Sequence, residues 1–199
     1  MAYFTITEAR NAAARAPGFR PLRKSASQVL TEETAAVSET DRFDIFLSHC
    51  VADADVILGV KTLLEEAGNS VYVDWIVDSQ LERSRVTPAT ADVLRRRMRQ
   101  SESLFFATST SSPDSKWMPW ELGYFDGLRQ GRIAILPLVA TEGAAFRGQE
   151  YLGLYPKVER LTRNNGLSDV FITKGTETRS FMELSDFKAG SSTFRNYGS

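Results

Sequence analysis

The chain has 199 residues, 42% apolar and 25% charged, enough for one globular domain with a core and too apolar for wholesale disorder. Its formal net charge of −1 gives no global case for nucleic acid, and a single cysteine, Cys50, excludes an internal disulfide framework. With no signal-peptide core near the start and no segment approaching a membrane span, the expectation is a cytoplasmic protein with neither a membrane nor a nucleic-acid partner.

Residues 1–40 read as an accessory helical segment. Thr5-x-x-Glu8 and Ser25-x-x-Gln28 match the capping-box pattern and predict helices near 6–15 and 26–37, separated by Pro17, Gly18 and Pro21. From residue 42 the texture changes, and a core domain is expected over 41–145. "FDIFLS" (43–48) is a short apolar run suited to a strand buried on both faces. Val56, Ile57, Val60, Leu63, Leu64 and Ala67 follow at helical spacing, with Gly68 as a stop. "SVYVDW" (70–75) predicts a second strand, and the polar stretch 76–87 leads to Thr87-Pro88, an N-cap followed by proline at the first helical position. "SLFFATS" (103–109) predicts a third strand and "IAILPLV" (133–139) a fourth. Between them "SKWMPWELGYFDG" (115–127) supplies a helix. In the remainder, 146–199, "DVFITK" (169–174) suggests a fifth strand and "SFMELSDF" (180–187) a closing helix. Alternating elements of this length imply an α/β fold of flavodoxin-like topology, a parallel sheet with helices on both faces.

Ligands of open α/β sheets bind beyond the carboxyl ends of the strands. Those ends fall at Ser48-His49-Cys50, Asp74-Trp75 and Thr108-Ser109-Thr110, and the 115–127 helix begins just after the third. Pro119 fits a first helical turn, which puts Glu121 within that turn or just after it. Trp117, Glu121, Tyr124 and Leu128 share one helical face, while Met118, Leu122 and Phe125 form the adjacent, core-facing one. On spacing alone, an exposed glutamate complementing the helix dipole is the simpler reading of Glu121. His49, the only histidine, reads as a loop residue shaping the pocket or bonding backbone rather than as a general base. Its neighbour Cys50 would point away from it in an extended chain, so it reads as structural. One histidine and one cysteine do not make a usual zinc site, and neither G-x-G-x-x-G nor a G-K-[ST] loop occurs. The arginines 83, 85, 95, 96, 97 and 99 read as a solvated helix face, with phosphate or subunit binding as the alternative.

The run "RFDIFLSHCVADAD", then "VYVDW", then "SLFFATSTSSPDSKWMPWEL" resembles a Toll/interleukin-1 receptor (TIR) domain over about 43–140. More narrowly it is similar to stand-alone bacterial TIR proteins, including those of Thoeris anti-phage defence. The resemblance implies cleavage of the nicotinamide–ribose bond of NAD. Glu121 matches the catalytic glutamate of a W-x-x-x-E-L pattern, Trp117 lies four residues earlier, and segment 75–87 borders the nucleotide pocket. Ser48, His49, Asp74, Trp75, Ser109 and Trp117 are then the candidate substrate-binding residues.

NAD is expected as substrate, with no metal and no separate cofactor. The expected product is an ADP-ribose derivative, cyclic where the site excludes water. A homo-oligomer or filament on activation and a downstream effector sensing the product are the further expected partners, with residues 1–40 a candidate switch or subunit contact. The rival reading is a non-catalytic TIR scaffold that works by self-assembly.

Overall fold

The computed structural model describes residues 2–20, 24–49, 53–75, 87–109, 115, 117–146, 148–162, 168–175 and 178–196. Cys50, Thr110, Arg83, Arg85 and most of the polar stretch after Trp75 lie outside them. Among these residues, nine strands and six helices follow in the order β1 (Phe4–Thr5), α1 (Ile6–Ala13), α2 (Ala26–Ala36), β2 (Phe43–Ser48), α3 (Ala54–Glu66), β3 (Val71–Val73), α4 (Pro88–Arg99), β4 (Ser101–Ser109), α5 (Trp117–Leu128) and β5 (Ile133–Val139). A 3-10 turn, Glu150–Leu154, precedes β6 (Lys157–Thr162), β7 (Ser168–Thr173), β8 (Ser180–Glu183), α6 (Leu184–Lys188) and β9 (Arg195–Asn196).

One sheet runs β3-β2-β4-β5-β6-β7-β8-β9 among the described residues, and β1 pairs with β5. The pairings from β3 to β6 are parallel, as expected for alternating strands and helices. From β6 onward they are antiparallel, so the sheet is mixed and its far half is a meander. The expected closing helix over 180–187 divides into β8 and α6. In β8, Ser180 and Met182 are buried while Phe181 and Glu183 are half-buried, the period of a strand with one covered face.

Pro137 explains where β1 enters. The Ile135 N–H donates to Pro156 O at 2.8 Å, so the N–H of residue 137 would point toward β6 as well. Proline has none, and the β5–β6 ladder has a single register pair, Ile135 with Lys157. Beyond it, Phe4 and Thr5 take up the free edge opposite Leu138 and Val139. Ala2 in turn exchanges backbone bonds with Arg160 of β6 at 3.0 and 2.9 Å.

Strand alternation sorts the core into two clusters. Ile45, Leu47, Val71, Val73, Phe105 and Ala107 face the layer of α1, α2, α3 and α6. Phe46, Tyr72, Leu104, Phe106, Ile133 and Ile135 face α4 and α5. Residues 2–36 belong to the first cluster through Phe4, Ala9, Ala13, Val29 and Leu30, each at most 2% exposed. Local chemistry starts these helices. Ser25 and Gln28 form a complete capping box at 3.2 and 2.8 Å, and Thr87 accepts from Thr90 N at 3.2 Å. Thr5 accepts from Glu8 N at 3.1 Å, but the Glu8 side chain pairs with Arg160 of β6 instead of closing its box. Gly68, at φ +82°, ends α3 in the left-handed region.

The amino end of β2 is tied to α6. Lys188 Nζ donates to Asp44 Oδ1 and Asn69 Oδ1, both at 2.9 Å, and Ser70 donates to Asp44 Oδ2 from N–H and hydroxyl at 2.7 and 2.9 Å. Burial pushes the Asp44 carboxyl up, but the bonds from Lys188 and Ser70 outweigh it and leave its pKa below the ordinary value. With a depressed folded pKa, this contribution is present above the unfolded pKa of about 3.9 and is lost as pH falls through the folded value. Asp44→Asn is therefore expected to lower stability at neutral pH and to match the parent in strong acid. Denaturant melts over a pH series measure the difference, and a gap that does not narrow in acid would contradict the assignment.

Candidate active site

Glu121 is the fifth residue of α5, in its second turn, and is 4% exposed. The exposed-glutamate reading therefore does not hold for it. Helix α5 starts where Ser115 Oγ accepts from Met118 N at 3.2 Å, and Pro119 then occupies its third position, where a missing N–H leaves no bond unmade. Trp117, Met118, Leu122 and Phe125 are buried with Glu121, whereas Leu128 is 38% exposed, so one end of the expected face leaves the core.

The carboxylate meets the sheet at Ser48. Ser48 Oγ donates to Glu121 Oε2 at 2.6 Å, across 73 positions of sequence. Ser48 is 1% exposed and continues the phase of Phe46 on the α5 face of β2. Asp74 belongs to the same face, where Tyr72 Oη donates to its Oδ1 at 3.4 Å. Burial, then the Asp74 carboxylate, push the Tyr72 phenol far above its ordinary value, so it stays a donor. Trp117 lies one turn before Glu121 and meets Trp120 edge to face at 5.5 Å. Trp120 stacks on Tyr124 at 5.6 Å, and the Arg95 guanidinium of α4 covers both rings at 5.3 and 5.9 Å.

The remaining candidates lie across the sheet. Trp75 is 3% exposed within the α1–α3 cluster, stacks on His49 at 5.2 Å and 11°, and donates from Nε1 to Ser27 Oγ of α2 at 3.0 Å. His49 Nδ1 lies 3.1 Å from Leu47 O, a backbone contact of the kind its loop position suggested. Ser109 continues the phase of Phe105 and Ala107, also toward that cluster. Thus Ser48, Asp74, Trp117 and Glu121 gather on one face, and His49, Trp75 and Ser109 on the other. Sequence reasoning missed Ser27, Tyr72 and Arg95 as partners of these groups. Of the three, only the strand alternation of Tyr72 with Asp74 carried a readable signal.

Two cavities among the described residues lie elsewhere. One of about 340 Å³ runs between α2, α3 and the edge of β3, and one of about 550 Å³ sits at the amino end of β5 beside Tyr155, Lys174 and Phe194. Neither includes Glu121. Among the described residues no group of three or more His, Cys, Asp or Glu side chains could hold a metal ion, and no helix is long and apolar enough to cross a membrane.

The chain is similar to two curated proteins. The probable 3′ cyclic ADP-D-ribose synthase ThsB′ of Bacillus cereus (strain MSX-D12) is 48% identical over 147 residues, 73% of this chain and 76% of that protein. The putative cyclic ADP-D-ribose synthase TIR2 of Cytobacillus dafuensis is 33% identical over 93 residues, 46% of this chain and 24% of that protein. No family model matches the chain.

Proposed function

The chain belongs to the TIR family, of the Thoeris type, and from that premise we propose that it is an NAD-cleaving enzyme producing a cyclic ADP-ribose signal in anti-phage defence. One observation carries the reading to a residue: Glu121, a buried carboxylate held by a hydroxyl at the carboxyl end of the parallel strands. Placing an ionisable group at 4% exposure works against stability, and a site that must meet positive charge gives a reason to keep it there.

The chemistry fits that group. Cleavage breaks the bond between the nicotinamide nitrogen and ribose C1′. The bonding pair leaves with the ring, which departs as neutral nicotinamide, and C1′ takes on oxocarbenium character. A carboxylate against the ribose stabilises that charge and accepts hydrogen bonds from the sugar hydroxyls. A hydroxyl of the same ADP-ribose then attacks C1′ and releases its proton, closing a ring. Attack by water would give the linear product instead.

In this proposal Trp117 bounds the pocket from the same helix, and Asp74 approaches from the end of β3. The 3′ linkage in the name of the Bacillus relative is the ring closure proposed for this chain too. NAD is the substrate, and no step calls on a metal or a second cofactor. A cytoplasmic location, assembly on activation and an effector that reads the product complete the proposal. The test is to incubate purified protein with NAD, with and without a crowding agent, and follow nicotinamide and product mass. Nicotinamide with a product lighter than ADP-ribose by one water is expected. Intact NAD under both conditions would return the protein to the scaffold reading.

A further inference from the structure

We propose that Ser48 is a positioning residue: its hydroxyl orients the Glu121 carboxylate through Oε2. This rests on the reading of Glu121 as the catalytic carboxylate. Sequence placement at a strand end suggested direct contact with substrate for Ser48, and its surroundings argue otherwise. A serine hydroxyl has one proton, and here it is committed to Glu121 at 2.6 Å. That length falls in the range of a hydroxyl bonded to an ionised carboxylate. At 1% exposure, in register with Phe106 and two residues after Phe46, the hydroxyl is buried between β2 and α5. A polar group there is tolerated because it is bonded.

Two consequences separate positioning from substrate contact. A carboxylate that loses this bond is held less tightly in its reactive orientation, which lowers turnover more than substrate affinity. It also loses a hydrogen bond to its charged form, which makes protonation easier. Other titratable or charged groups on the elements around α5 are Tyr72 in β3 and Asp74 just after it, His49 just after β2, Asp92, Arg95, Arg96, Arg97 and Arg99 of α4, Asp44 and Glu102 at the amino ends of β2 and β4, and Tyr124, Asp126 and Arg129 of α5 itself. All are common to parent and variant, so a shift between the two reports on the lost hydroxyl.

The experiment measures kcat and KM for NAD over a pH series, with melting temperature, for Ser48→Ala, Ser48→Cys and Ser48→Thr. Ser48→Ala should lower kcat ~10- to 100-fold, leave KM within about threefold, and move the acid limb of kcat up by about one pH unit. Ser48→Thr, which keeps the hydroxyl, should restore the limb. Ser48→Cys, a weaker donor of similar size, should fall between and decides the matter if the alanine variant does not fold. A raised KM with an unmoved limb would make Ser48 a substrate contact, and a lowered melting temperature with parental kinetics would make it structural. Either overturns the proposal. Glu121→Gln in the same assay tests the reading beneath it: parental turnover there would remove that reading whatever Ser48 does.

Discussion

Glu121→Gln is expected to lower nicotinamide release by ~10²–10³-fold, because glutamine keeps the shape of the side chain and removes the charge proposed to face the oxocarbenium ion. Such a loss corresponds to about 3–4 kcal/mol at the transition state. Stability should hold or rise. The amide oxygen still accepts from the Ser48 hydroxyl, and a charge no longer has to be kept at 4% exposure. An inactive variant that melts at or above the parent temperature is the expected pair of results. A variant with parental turnover would contradict the mechanism. Inactivity with a collapsed melting temperature would leave Glu121 a structural role only.

Gly59→Ala should be among the most damaging single-methyl changes in the chain. A Cβ on Gly59 would stand 1.6 Å from the Ala9 carbonyl oxygen and 2.3 Å from its carbon, both backbone atoms of α1 that cannot swing aside. The glycine costs α3 about 1 kcal/mol of helix propensity relative to alanine, and the close approach of α1 is what it secures. Substitution has to lift α1 away from Val56, Ile57 and Val60 and loosen Phe4, Ala9 and Ala13. We expect a loss of about 3 kcal/mol or more, or roughly 6–12 °C in melting temperature for a chain of this size. Gly123→Ala supplies the contrast. Nothing lies within 4 Å of its would-be Cβ on the exposed side of α5, so the same change should stabilise by ~0.5–1 kcal/mol. Thermal melts of the two variants, expected to move in opposite directions, check both. A neutral Gly59→Ala would mean that α1 does not pack on α3 as described.

The parts of this protein that its sequence determined by itself are those whose cause is local. Strands β2, β4 and β5 are buried on both faces and so read as continuous apolar runs. The caps at Ser25 and Thr87 and the stop at Gly68 act through neighbours within four positions, so helix ends were legible near their true places. The W-x-x-x-E-L pattern set Trp117 one turn before Glu121, because helical spacing is a property of the chain alone.

Tertiary structure decided the rest. Strand β6 was invisible because "KVERLT" carries three charged residues, and only the fold says that Glu159 is fully buried, with burial pushing its carboxyl above the ordinary range. Strand β1 exists because Pro137 leaves an edge unbonded, a vacancy 132 to 133 positions away from the Phe4 and Thr5 that take it up. The candidate site shows the same division. Strand ends supplied five of the seven candidate residues, but the pleat sent His49, Trp75 and Ser109 to one face and Ser48 and Asp74 to the other. What Ser48 bonds depends on how α5 docks on β2, and docking is set by the sum of many distant contacts rather than by any motif.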